Sequence, residues 1–248
     1  MAELMIQEHV LKDGTRIEIS RNGNHQYSVR YPGQDFVGRM ASVTTLNKHT
    51  EGDTFGIGVN WATKLIRESG NFNAPREDTS QSILQGTALH ECIERYIKSN
   101  GKDIDEENDM FTAWLKDVGS KHNWLASEVF LYHPALSYGG TADAISIDTE
   151  TMETVIWDWK TKNRATYEKY GPSLSYKDHA QLAAYANALD NMGSIYAPTK
   201  GNIVYIMRDG SYADLVQVDL RSSTEVFGLS VRMAHATASL KASIKGGA

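Results

Sequence analysis

The chain has 248 residues, a net charge of −6, 41% hydrophobic and 23% charged residues, and a single cysteine, Cys92. These proportions exclude fibrous and disordered classes, and the length suffices to bury one sizeable core. One cysteine excludes an intrachain disulfide and any cysteine-built zinc or iron–sulfur centre, while the acidic balance is unfavourable for phosphate partners, whose affinity comes chiefly from Lys and Arg.

The opening Met1-Ala-Glu-Leu-Met-Ile-Gln-Glu8 lacks a basic leader, and no run approaches the roughly 20 apolar residues of a membrane span. A cytoplasmic protein without a membrane partner is expected. Arg16–Ile19 and His25–Tyr31 read as strands separated by the turn-like Arg21-Asn-Gly-Asn24. In Ser42-Val-Thr-Thr-Leu46 a hydroxyl residue can cap a helix. Helical apolar spacing follows from Val59 to about Glu68, with Asn71-Phe-Asn-Ala-Pro75 as its stop. A long helix is expected from about Thr79 to Ser99, on a stripe of Leu89, Cys92, Ile93, Tyr96 and Ile97. The run Asp103, Asp105, Glu106, Glu107 and Asp109 reads as a solvated loop before a helix at about Asn108–Lys121.

Strands dominate the next stretch, from Leu125 to Lys160: Leu125–Tyr132, Thr141–Ile147 and a run from Thr154, the last two joined by the polar turn Asp148-Thr-Glu-Thr-Met-Glu153 into an antiparallel hairpin. Tyr176–Asn191 is strongly helical, Asn202–Met207 and Asp214–Asp219 read as a closing pair of strands, and about Ser223–Ile244 as a terminal amphipathic helix. Repeats and interdomain linkers are not evident.

The hairpin carries the most chemistry. Side chains alternate along a strand, so Asp158 and Lys160 share a face. If Ile147 pairs with Thr154, the same register sets Asp143 opposite Asp158. Opposed Cβ atoms lie roughly 4.5–5.5 Å apart, where like charges destabilise a pair unless something compensates, and a divalent cation is the obvious compensation. So short a pattern more often means a solvated acid with a lysine salt bridge. Trp157 and Trp159 on either side of Asp158 argue against free solvation.

His90, outside the apolar stripe of its helix, could present an imidazole to a metal, and Glu128 could add a third carboxylate. Gln181 and Tyr185 share one helix face. Taken singly, each has a commoner structural explanation. Between residues 162 and 177, Lys162, Arg164, Lys169 and Lys177 alternate with Tyr167, Tyr170 and Tyr176. Backbone-tracking charge with aromatic stacking is how single strands are held without sequence preference, although a solvated loop accounts equally for the composition. Ser42, Thr44 and Thr45 could contact a phosphate from a helix N-terminus, and capping alone also explains them.

The order of these residues is more specific than any one of them. His90, Glu128, Gly139-Gly140-Thr-Ala-Asp143, Asp158-Trp-Lys160-Thr and Gln181-x-x-x-Tyr185 closely resemble the RecB-like branch of the PD-(D/E)xK nuclease superfamily. The resemblance is nearest to the mitochondrial genome maintenance exonuclease and its phage-encoded relatives. His179-Ala-Gln-Leu-Ala-Ala-Tyr-Ala186, Gly201-Asn-Ile-Val-Tyr205 with Arg208-Asp-Gly210, and Ser42-Val-Thr-Thr45 share in it, over about residues 41 to 240. Some members of that branch carry an iron–sulfur cluster on four cysteines, which Cys92 alone cannot supply, so this chain resembles the cluster-free members.

The resemblance implies an α/β, restriction-endonuclease-like core, a central mixed sheet flanked by helices, over residues 41–248, with 1–40 as a β-rich N-terminal appendage. It implies a DNA exonuclease acting on single-stranded ends in replication, recombination or processing, in a host cytoplasm if phage-encoded, with a replication or recombination protein as a candidate partner. One or two Mg²⁺ or Mn²⁺ ions would be held by Asp143, Asp158, Glu128, His90 and the Trp159 carbonyl. Lys160 would orient the attacking water or offset charge on the phosphate, and Gln181 and Tyr185 would position the strand or the lysine. An endonuclease on duplex or branched DNA, and a catalytically silent nucleic-acid-binding fold, are the alternatives.

Overall fold

The computed structural model describes residues 4–50, 55–172 and 176–246. A meander opens the chain: β1 (Met5–Val10), β2 (Arg16–Arg21), β3 (Tyr27–Arg30) and β4 (Val37–Ser42), each antiparallel to the one before. The short α1 (Val43–Leu46) follows, its first turn capped by Ser42, whose hydroxyl accepts the Thr45 N–H at 3.1 Å. Next come α2 (Phe55–Ser69), α3 (Ala74–Lys98) and α4 (Asp109–Asp117). The strands β5 (Asn123–His133), β6 (Tyr138–Ile147) and β7 (Thr154–Lys162) are followed by α5 (Arg164–Tyr170) and α6 (Tyr176–Asn191). β8 (Lys200–Met207), β9 (Ala213–Val218) and α7 (Leu220–Gly246) close the chain. Among the described residues no helix is long and apolar enough to cross a membrane.

The expected mixed sheet flanked by helices is what the structure has. Its strand order is β1-β2-β3-β4-β6-β7-β8-β9, with β5 paired to β6. β5 lies antiparallel along β6 from Tyr138 to Ile147 and occupies one edge of that strand. The other edge is divided. β4 pairs in parallel with Tyr138 and Gly139, and β7 pairs antiparallel with Ala144 to Ile147. Between them Gly140 to Asp143 have no ladder partner on that side, which leaves a notch inside the sheet. β7 continues past the notch in parallel with β8 from Val155 to Lys162.

Alternation along β7 sends its neighbours into two cores. Trp157 and Trp159 pack with Leu89, Ile93 and Trp114 of α3 and α4, whereas Ile156 packs with Leu182, Ala184 and Leu189 of α6. Rings of Trp114, Trp124, Trp157 and Trp159 lie 5.1–5.8 Å apart in mutual contact. Each aromatic ring of this kind buries roughly 150–250 Å², enough to fix the strand between them. On the opposite face the alanine-rich α6 lies close to the sheet, and the Tyr138 hydroxyl donates to its Ala184 carbonyl at 3.0 Å.

Two glycines in β6 make the close approach possible. A Cβ on Gly139 would meet Tyr27 Cβ at 2.5 Å, and one on Gly140 would meet Tyr185 Cε1 at 2.5 Å. Two expectations need correction, and two strands are added to the β-rich opening. Pro75 does not end a helix but sits in the first turn of α3, where its missing N–H costs nothing. Arg164–Tyr170 is a helix rather than an irregular connection, its first turn capped by Asn163, which accepts the Thr166 N–H at 3.1 Å. Met5–Val10 and Val37–Ser42 are strands that alternation alone did not reveal.

Gly140→Ala should destabilise the protein by about 1–3 kcal/mol through overpacking against Tyr185. Gly228→Ala, in α7 with nothing within 4 Å of the new methyl, should stabilise it by about 0.5–1 kcal/mol. Urea unfolding of both variants against wild type checks the pair.

Candidate metal-binding active site

The predicted hairpin register is observed in four pairs, from Ile147 with Thr154 to Ala144 with Trp157. The ladder stops one position short of the acids. Asp143 instead turns its carboxylate onto the Trp159 N–H, which donates at 2.6 Å. The β5 ladder behaves alike at the same level, where Ser127 pairs with Ala144 and Val129 with Ala142, and Glu128 and Asp143 face each other unpaired. Glu128, Asp143 and Asp158 therefore form a row across three adjacent strands. Both ladders open at it.

Glu128 has φ 51°, the left-handed region, at a cost of roughly 1–3 kcal/mol for a residue that is not glycine. Helix α3 lays His90 over the row, with Nδ1 3.6 Å from Asp143 Oδ1. Ligand atoms of His90, Glu128 and Asp143 all lie within 4.8 Å of one another. Two carboxylates and an imidazole at that separation are a donor set suited to a divalent cation. Glu128 bears the mark of the crowding: burial and then Asp143 push its carboxyl up to about 7, with His90 and Arg21 only partly offsetting them. A cation there would remove that penalty, so the residues fit the group.

Asp158 is not part of that three-residue group. It is 1% exposed, and its Oδ2 has no aligned hydrogen-bond donor among the described residues. Lys160 Nζ approaches the same oxygen to 2.5 Å as an ion pair. Burial raises the Asp158 carboxyl and Lys160 opposes the rise. Burial works against the lysine's charge, but Asp158, Asp143 and Asp178 outweigh it and hold the ammonium above the ordinary lysine range. From the α6 side Gln181 Nε2 donates to Tyr185 Oη at 2.8 Å. Burial and the nearby Asp158 keep that phenol protonated.

A cavity of about 500 Å³ fills the notch and brings together His90, Glu128, Asp143 and Tyr185 with Ser42, Thr44 and Thr45. Trp159 meets the acids through its N–H. The basic and aromatic residues from 162 onward are dispersed. Lys162 pairs with Asp178 at 3.2 Å and, with Tyr167, lines a second cavity of about 510 Å³. Tyr167 is buried and donates to Asp214 at 2.6 Å. Arg164 pairs with Glu168 on the surface of α5, Lys169 lies over the Tyr170 ring, and Tyr170, Tyr176 and Lys177 are exposed.

The first three strands add residues that pattern reading missed. Arg21 donates to Thr141 Oγ1 at 3.2 Å and stands 4.0 Å from Glu128, while the Tyr27 hydroxyl meets Thr141 at 2.9 Å. Nothing in the local sequence around residue 21 signals a neighbour more than a hundred positions away.

Residues 109–213, from α4 to the start of β9, match the family model described as PD-(D/E)XK nuclease superfamily. The matched span holds Glu128, Asp143, Asp158, Lys160, Gln181 and Tyr185. No curated protein matches the chain. Among solved structures, SSO0001 aligns over 77% of this chain and 75% of its own, at 17% identity and a TM-score of 0.38. LHK-Exo, solved in complex with dAMP, aligns over 82% of this chain and 93% of its own, at 12% identity and a TM-score of 0.34.

Because the folded Glu128 carboxyl is raised, its stabilising contribution is full below about pH 4.5 and lost as pH rises through about 7. In chelator, wild type should match Glu128→Gln in thermal stability near pH 4.5 and fall below it by pH 7.5, and Mn²⁺ should restore wild type alone. Melting curves across that pH range measure the difference.

Proposed function

We propose that this protein is a divalent-metal-dependent deoxyribonuclease that removes nucleotides from single-stranded DNA ends. The observation that carries the reading is the donor group of His90, Glu128 and Asp143 within 4.8 Å, set beside the buried Asp158–Lys160 pair in a break of the sheet. The nuclease superfamily match over residues 109–213 supports the hydrolytic chemistry.

A Mg²⁺ or Mn²⁺ ion held by these residues supplies Lewis-acid polarisation of a phosphoryl oxygen. The remaining work falls to the chain. Glu128 and Asp143 fix the anionic side of the site, and Asp158 keeps the Lys160 ammonium charged and aimed. A lysine held charged is no proton acceptor, so Lys160 acts on the negative charge that develops at phosphorus and on the orientation of the attacking water. Gln181 fixes the Tyr185 hydroxyl, which leaves its proton to donate into the notch. Ser42, Thr44 and Thr45 offer hydroxyls to the phosphate next to the scissile one.

The reading of a single-stranded end comes from the resemblance to exonucleases. The cavity of about 500 Å³ is within the range of small-ligand pockets. Replication, recombination and DNA processing are the settings such trimming serves, in keeping with the resemblance to genome-maintenance and phage exonucleases.

With Mn²⁺, a labelled linear single strand should be shortened from an end while a circular one of the same sequence survives, and chelator should stop the reaction. Nicking of the circle would show an endonuclease, and binding without chelator-sensitive cleavage a silent fold. Lys160→Ala should lower turnover at least about 100-fold while DNA binding persists. Gel assays of both measure the outcome.

A further inference from the structure

Gln7 of β1 reaches the active-site row from the far end of the chain. Its Nε2 donates to the Glu128 carbonyl at 3.2 Å, and its Oε1 accepts the Phe130 N–H at 2.6 Å. The two contacts fix the amide's orientation, because a carbonyl demands a donor and an N–H demands an acceptor. The same Oε1 lies 3.0 Å from Nε2 of the buried His9, which must then carry its proton on that nitrogen. One side chain thus supplies, just C-terminal to the left-handed residue 128, two hydrogen bonds of the kind that a regular strand neighbour would make.

That placement has a functional meaning. Glu128 at φ 51° is strained, and such a conformation persists only where the surroundings over-determine it. In a regular pleat its side chain would share a face with Ala126 and Phe130, which pack into the core. It instead joins His90 and Asp143 in the donor group. Resting on the metal-dependent reading above, we propose that Gln7 is a positioning residue for the metal site, clamping the backbone from the Glu128 carbonyl to the Phe130 N–H so that the Glu128 carboxylate is presented to the ion. β1 is then part of the active site rather than an accessory to it.

Direct Mn²⁺ binding by calorimetry tests this on wild type, Gln7→Ala, Glu128→Gln and the double variant, with melting temperature as the check on folding. Gln7→Ala should weaken Mn²⁺ binding about 10-fold, as loss of a residue that orients a ligand does, and should weaken it no further in the Glu128→Gln background. Gln7→Met keeps the side-chain length, removes both hydrogen bonds and gives the same readout should the alanine variant fail to fold. Arg16→Ala, which removes the exposed Arg16–Glu8 ion pair between β1 and β2, should leave binding unchanged. Unaltered binding in Gln7→Ala and Gln7→Met, or a penalty that adds in full to Glu128→Gln, overturns the role of Gln7 while the metal site stands. A wild type that binds no Mn²⁺ overturns the metal-dependent reading and this role together.

Discussion

Three carboxylates in one row across a sheet repel one another, and the structure around residues 128, 143 and 158 is organised by that repulsion. A regular ladder would set Glu128, Asp143 and Asp158 side by side at cross-strand distance, where like charges oppose pairing. The chain departs from regularity at each of them. Glu128 leaves the pleat by a left-handed turn, Asp143 takes a backbone N–H in place of a strand partner, and Asp158 is buried against a lysine. These departures lie at the rim of the notch in the sheet.

What keeps the arrangement from relaxing lies on either face. The tryptophan cluster behind β7 and the alanine-rich helix α6 in front of it hold the strand like the walls of a slot. Gly139 and Gly140 let Tyr27 and Tyr185 approach to distances that any side chain would forbid, which sets the floor of the cavity. The unfavourable state of Glu128 is therefore maintained by packing elsewhere.

Much of this was legible in the sequence where the signals were local. The hairpin register followed from two alternating runs and a polar turn, and α6 has the expected ends, Tyr176 and Asn191. Helix α5 was hidden because Arg164-Ala-Thr-Tyr-Glu-Lys-Tyr170 has no apolar stripe at helical spacing, although Asn163 was a readable cap. Pro75 was ambiguous in principle, since the same residue ends one helix or begins the next. The His90, Glu128, Asp143 and Lys160 constellation was visible from order and residue type. The contributions of Gln7, Arg21 and Tyr27 were not, because they depend on a docking between chain segments that no local pattern encodes.

The cavity is also built from distant parts of the chain. β4 meets β6 across nearly a hundred positions, Gln7 meets Glu128 across 121, and Arg21 meets Thr141 across 120. Contacts of such separation incur their loop-closure entropy before they return any stabilisation, so they belong to the slow part of a folding reaction. A chain still emerging from the ribosome, or one whose opening meander has not docked, lacks the wall that shapes the pocket. The candidate site is thus complete only once the opening meander has docked against β5 and β6.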